Sequence, residues 1–129
     1  MTATSRVDSG VRTRALVVHP HFKADRDRRR DSDSALAECV ALTEALDLEV
    51  VSAEVATLAS AKAGALFGSG KIDEIKARVA AGDAELVIVD GAVTPIQQRN
   101  LEKAWNAKVL DRTGLILEIF GERAGTREG

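Results

Sequence analysis

An α/β fold is predicted, a small two- or three-layer arrangement around a mostly parallel sheet of about four strands joined by crossover helices. Two observations carry this. The stretches "ALVV" (15–18), "LEVVSAEV" (48–55), "ELVIVDG" (85–91) and "KVL" (108–110) are short apolar runs, the pattern of strands buried on both faces. Between them lie segments whose apolar residues recur at spacings of three and four, the mark of a helix with one buried stripe. The resulting order, β-α-β-β-α-β-α-β-α, is that of strands linked by helices that pack back on a sheet. The 129 residues suit one domain and are too few for two. We place a tail at 1–13, the α/β domain at 14–129, and the start of a linker at 121–129.

Each element has a local reason. The first strand ends at His19-Pro20, and "FKADRDRRRDSDS" (22–34) reads as a solvated charged loop in which Arg28, Arg29 and Arg30 are alternatively RNA contacts. Ser34 caps a helix to about Leu46, packed through Leu36, Ala37, Val40 and Ala41. After the second strand, 56–64 is weakly patterned and Ala65-Leu66-Phe67 reads as a short edge strand. A helix opens at Ser69 or Gly70 and runs to about Ala81 with Ile72, Ile75 and Val79 on one face. Gly82-Asp83 stops it. Thr94-Pro95-Ile96-Gln97 has the form of a capping box with Pro at N1, starting a helix that runs to about Trp105. Asp111 caps a last helix on which Leu115, Ile116, Ile119 and Phe120 form the apolar face.

Composition narrows the function. A formal net charge of −2 gives no long-range attraction to phosphate, so any nucleic-acid contact must be a local patch. Phe22, Phe67, Trp105 and Phe120 are the few aromatic residues, too few for a base-stacking platform. Cys39 stands alone, which excludes an internal disulfide and suits a reducing compartment. It reads as a buried thiol. The first residues do not resemble a secretory signal and no apolar stretch is long enough to cross a bilayer, so the expected location is cytoplasmic, with no membrane partner.

Several residues invite a chemical reading. "GALFGSGK" (64–71) resembles a phosphate-binding loop, but Ala65 stands where the first Gly is required and Ile72 where the magnesium-binding hydroxyl is required. Gly68, Ser69, Gly70 and Lys71 remain able to hold an anion at a helix start; the alternative is a tight turn with a solvated lysine. His19 and His21 have the spacing of two metal ligands without a convincing third, so no metal is assigned. Asp90 and Asp111 directly follow strands, where ligands of such sheets gather. Neither is visibly tied to a histidine or a second acid, and no catalytic residue is assigned. The run Gln97-Gln98-Arg99-Asn100 reads as a polar face turned mostly outward.

Four blocks together, "GSGKIDEI" (68–75), "ELVIVDG" (85–91), "TPIQQRNLEKAW" (94–105) and "KVLDRTGLILEIFGERAGTREG" (108–129), resemble the amino-terminal domain of the HflX-type GTPases, strongly over 65–129 and only in pattern over 14–55. The resemblance implies that the true P-loop, with GTP and Mg²⁺, lies in a separate G domain beyond a helical linker, neither being in this chain. No cofactor is expected on this chain itself. It also implies partners: the large ribosomal subunit and its rRNA, and the protein's own linker and GTPase domain. The implied role is to position or regulate a GTPase that splits or rescues stalled ribosomes under stress. Lys71, Arg99, Lys103, Arg112 and Arg123 are the expected phosphate contacts, Lys76 and Arg78 secondary ones. Some family members are credited with an ATP-dependent activity of this region, which would make Gly68, Ser69, Gly70 and Lys71 an adenine-nucleotide site. A regulatory interface for the GTPase domain is the third reading. The apolar face of the last helix is expected to meet the linker and would let the isolated chain self-associate.

Overall fold

The computed structural model describes residues 12–23 and 29–124, the side chains of residues 29–30 and 121–124 excepted. Four strands, β1 (Arg14–Phe22), β2 (Glu49–Leu58), β3 (Leu86–Val89) and β4 (Lys108–Asp111), alternate with four helices. The helices are α1 (Arg29–Ala45), α2 (Ser69–Gly82), α3 (Pro95–Trp105) and α4 (Arg112–Ala124). The strands lie in the order β2-β1-β3-β4, and every neighbouring pair is parallel. The sheet is therefore wholly parallel, where the sequence predicted a mostly parallel one.

Period-two alternation divides the buried side chains between two faces. Leu16, Val18, Val87, Val89 and Val109 join Ile75 and Val79 of α2 and Leu101 and Trp105 of α3. On the other face Ala15, Val17, Leu86 and Ile88 meet Cys39 of α1 and Leu115 of α4. The fold thus has three layers. The chain leaves β1 toward β2 with its helix on one face, then crosses back to β3 with its helix on the other. Winding reverses between β1 and β3.

Three local expectations change. The helix predicted from Ser34 begins at Arg29, inside the supposed loop; residues 24–28 lie outside the described residues. Its inward stripe starts at Ser32, which is buried with Cys39 and Thr43, and a serine hides that stripe from an apolar pattern. The hydroxyl of Thr43 donates back to the Cys39 carbonyl at 2.8 Å. Ala65-Leu66-Phe67 is not an edge strand: Leu66 pairs only with Lys62 in an isolated bridge. That turn holds Leu66 at φ 67°, a conformation costly for a branched side chain, and it drives Leu66 and Phe67 into the core. On α4 the apolar face splits. Leu115 is buried, whereas Leu117 (62% exposed) and Phe120 (63%) face outward with Ile116.

β1 runs past Pro20 to Phe22, beyond the predicted end. The Val18 carbonyl accepts from the Asp90 N–H at 2.8 Å, so the backbone groups of residue 18, and two residues on of Pro20, face the β3 side. β3 has already ended there, and the N–H that proline lacks has no ladder partner to lose.

Burial pushes the Cys39 thiol up to about 12, with the Asp90 carboxylate adding to the effect. Because the folded state holds this proton more tightly than the unfolded chain, the contribution of Cys39 to stability is complete below about pH 9 and is lost as pH rises toward about 12. At pH 8 a disulfide reagent should therefore label the thiol only on unfolding, at the rate at which the chain opens. Full labelling of the native protein within seconds would contradict this.

Candidate functional site

In doubly wound sheets, ligands meet the carboxyl ends of the strands where the winding reverses. Here that place is formed by the ends of β1 and β3, and it holds a connected cluster of polar side chains. Asp90, its side chain 1% exposed, takes His19 Nδ1 on one oxygen at 2.8 Å and accepts from Arg112 Nη1 on the other at 2.6 Å. Arg112 Nη2 lies 3.6 Å from Glu38 of α1. Those hydrogen bonds raise the guanidinium's already high pKa, chiefly through Asp90, against the opposing effect of burial. The absence of a histidine tied to Asp90, expected from the sequence, is thus corrected.

Backbone geometry makes the cluster possible. Gly91 lets the chain turn against β1: a Cβ there would sit 3.3 Å from the Pro20 ring. Asp111 accepts from the Gly114 N–H at 2.8 Å, capping α4 as predicted and fixing Arg112 at its first turn. His21, buried, pairs through Nδ1 with Ser32 Oγ at 2.9 Å. A cleft of about 220 Å³ opens between His19, His21, Asp31 and Ser32. Both histidines lie within β1. No group of three potential metal ligands occurs among the described residues.

The glycine-rich turn behaves differently from both readings offered for it. Lys71 bridges Glu54 at 3.1 Å and Glu74 at 2.9 Å, and Arg78 Nη1 lies 2.5 Å from the second Glu54 oxygen. That oxygen is buried and has no hydrogen bond of good geometry; the guanidinium beside it supplies charge instead. Burial opposes the charge on Lys71, yet its hydrogen bonds to Glu74 and Glu54 leave its pKa raised. The lysine is neither solvated nor free to grip a phosphate. Gly68 is extended (φ −74°, ψ 165°), and a Cβ on Gly68 or Gly70 would meet open space, so the turn does not require glycine.

Three of the four side chains in the polar run on α3 are tied to backbone carbonyls of the fold. Gln97 closes the predicted capping box with Thr94 and donates to the Lys62 carbonyl at 2.8 Å. Gln98 donates to the Val109 carbonyl and Asn100 to that of Gly64. Of the run only Arg99 and Asn100 are exposed, and Arg99, with Lys103 one turn on, is the part without a hydrogen-bonded partner in the fold. Neither makes an ion pair among the described residues. Ile96, 63% exposed, continues the stripe. Of the five predicted phosphate contacts the fold brings together only these two; Lys71 and Arg112 sit apart in carboxylate pairs, and the Arg123 side chain lies outside the described residues. Lys76 borders a groove of about 890 Å³ at the opposite, amino-terminal edge of the sheet, with Arg12, Arg14 and Trp105. There Arg12 pairs with Asp47 and Arg14 with Glu49, leaving the carboxyl edge the better candidate.

Comparison with known proteins agrees with the fold. Residues 33–121 match the family described as GTP-binding GTPase N-terminal. GTPase HflX of Magnetococcus marinus is 50% identical over 94 residues, covering 73% of this chain and 22% of that protein. GTPase HflX of Escherichia coli is 36% identical over 124 residues, covering 96% and 28%. The crystal structure of SsGBP in complex with GDP superposes with a TM-score of 0.59 at 24% identity, over 91% of this chain and 31% of that one; this likeness speaks for the fold alone. The chain spans 22% and 28% of the two HflX relatives' lengths. No helix among the described residues is long and apolar enough to cross a membrane. With a family match over residues 33–121 and HflX relatives matching 73% and 96% of its length, the chain belongs to the GTP-binding GTPase N-terminal family and is an HflX-type amino-terminal domain.

Proposed function

We propose that this domain binds the large ribosomal subunit through its rRNA and positions an HflX-type GTPase that splits or rescues stalled ribosomes under stress, in the cytoplasm. The observation that supports the reading is the pair Arg99 and Lys103 on α3: exposed, one turn apart and without acidic partners among the described residues, on a chain whose formal net charge is −2. A local patch of this kind is what such a chain needs to touch an RNA backbone. GTP and Mg²⁺ belong, on this reading, to the part of the family's chain beyond this domain. The residues at the glycine-rich turn do not fit them, since Ile72 follows the lysine and Lys71 is held by Glu54 and Glu74. The same pairs weigh against an adenine nucleotide there. The outward residues Ile116, Leu117 and Phe120 on α4 are the face expected to meet the helical linker or the GTPase domain.

Arg99→Ala and Lys103→Ala should each weaken subunit binding irrespective of RNA sequence, and each should reduce the slope of log K against log salt by roughly one. Binding isotherms at four or more salt concentrations read this directly. Slopes unchanged in both variants would remove the patch from the interface.

A further inference from the structure

Asn100 stands beside the two unpaired cations of α3 and is held in one orientation. Its Nδ2 donates to the Gly64 carbonyl at 2.7 Å, and because a carbonyl can only accept, the amide cannot be turned the other way. Oδ1 is therefore left as an acceptor on an exposed residue, and no described residue donates to it. Arg99 directly precedes Asn100, and Lys103 follows it by three residues on the same exposed face. Glu102, the one acid on α3, is engaged elsewhere, accepting from the Val109 N–H of β4 at 3.0 Å. Lys62 adds a third cation. The 62–64 turn is fastened to α3 by Gln97, which donates to the Lys62 carbonyl at 2.8 Å, and by Asn100 itself; Lys62 is exposed and makes no ion pair among the described residues. The face thus presents a fixed acceptor among free cations. Its complement is a hydroxyl donor flanked by phosphates.

We propose that Asn100 makes this face selective for RNA over DNA, its Oδ1 accepting from a ribose 2′-hydroxyl while Arg99 and Lys103 take neighbouring phosphates and Lys62 a further one. Arg99 and Lys103 act here as in the ribosome reading, on which this inference rests; Asn100 adds recognition of the sugar. Phosphate contacts position a nucleic acid without reading it, whereas the 2′-hydroxyl is the group that tells RNA from DNA. A stem suits the face better than a single strand. Phe67 and Trp105, the aromatic residues of this layer, are buried, so no ring is offered on which an unstacked base could rest. An A-form stem displays its 2′-hydroxyls along a wide, shallow minor groove, which the exposed side of a helix can approach. Ile96, 63% exposed at the start of the same face, supplies an apolar contact for the sugar.

The test is a fluorescence-anisotropy titration of this chain against two labelled hairpins of one sequence, the first of RNA and the second carrying 2′-fluoro groups along its stem, which keep the A-form and remove the hydroxyl donor. The RNA hairpin should bind about three- to tenfold more tightly, the net worth of one hydrogen bond. Asn100→Ala should bring the RNA hairpin down to the affinity of the fluoro hairpin and leave the latter unmoved. Loosening of the 62–64 turn alone would weaken both hairpins alike and keep their ratio. If the variant unfolds by circular dichroism, the comparison of the two hairpins on the unmutated chain decides. Equal affinities, no binding of either hairpin at low salt, or a folded Ala variant that keeps the ratio would each overturn the inference. Equal affinities with salt slopes that still fall in Arg99→Ala and Lys103→Ala would leave the phosphate patch standing without the sugar contact; unchanged slopes in both would remove the two together. A preference for the RNA hairpin in a chain that does not bind ribosomal subunits would reject the ribosome reading and keep the RNA site.

Discussion

Replacing Trp105 with Ala is expected to lower the unfolding free energy by about 3–5 kcal/mol, the usual cost of deleting a large buried aromatic. Trp105 is 2% exposed and is the last residue of α3. Its ring lies 6.1 Å from that of Phe67, tilted by 46°, and its Nε1 donates to the Ile72 carbonyl at 3.0 Å. One side chain thus joins α3, α2 and the turn before α2 over the same sheet face. Removing it leaves a cavity and takes the second donor from a carbonyl inside α2 that keeps its own helical bond. Trp105→Phe retains most of the volume and loses the hydrogen bond, so it should cost only about 1–2 kcal/mol. Urea unfolding of both variants checks the order. An Ala variant within 1 kcal/mol of the unmutated chain, on the scale of a minor packing change, would mean that the α2–α3 layer does not depend on this contact.

The second large effect is expected at Asp90. Breaking a fully buried pair costs about 3–5 kcal/mol; Arg112 is partly exposed and can regain water, so about 2 kcal/mol is the expectation for Asp90→Ala. Asp90→Asn should cost less and have a sharper signature. An amide presents one acceptor and one donor, and Arg112 claims the acceptor. The amide N–H then faces His19 Nδ1, which must become the acceptor, moving the proton to Nε2. Nitrogen chemical shifts of the His19 ring report the tautomer directly. An unchanged tautomer in the Asn variant would show that Asp90 does not set it.

Much of the framework is legible in the sequence for a simple reason: its signals are local. A parallel strand covered on both faces must be apolar throughout, and Leu86–Val89 is buried at every position. The Thr94–Gln97 box is written in four adjacent residues and forms with both of its hydrogen bonds. The site is less legible because its partners are distant. His19 and Asp90 are 71 residues apart, and only the crossover from β2 back to β3 places them together. Lys71 looks like a free cation until β2 brings Glu54 beside it. Gln97, Gln98 and Asn100 look free until the 62–64 turn and β4 present carbonyls to them. A usable signal for the site did exist: His19, Asp90 and Arg112 all stand at carboxyl ends of predicted strands, and a parallel sheet gathers those ends at one edge.

The α4 face teaches a related point. Leu115, Ile116, Ile119 and Phe120 satisfy a helical spacing, yet a helix on the outside of a three-layer fold buries only a narrow stripe. Leu115 and Ile119 meet the core, and the remaining apolar residues extend past it.

Sedimentation of this chain with purified large ribosomal subunits across a salt series tests the central reading most directly. Co-sedimentation at low salt is expected, weakening steeply as salt rises, with a shallower dependence once Arg99 or Lys103 is replaced. A chain that stays in the supernatant at the lowest salt would contradict it.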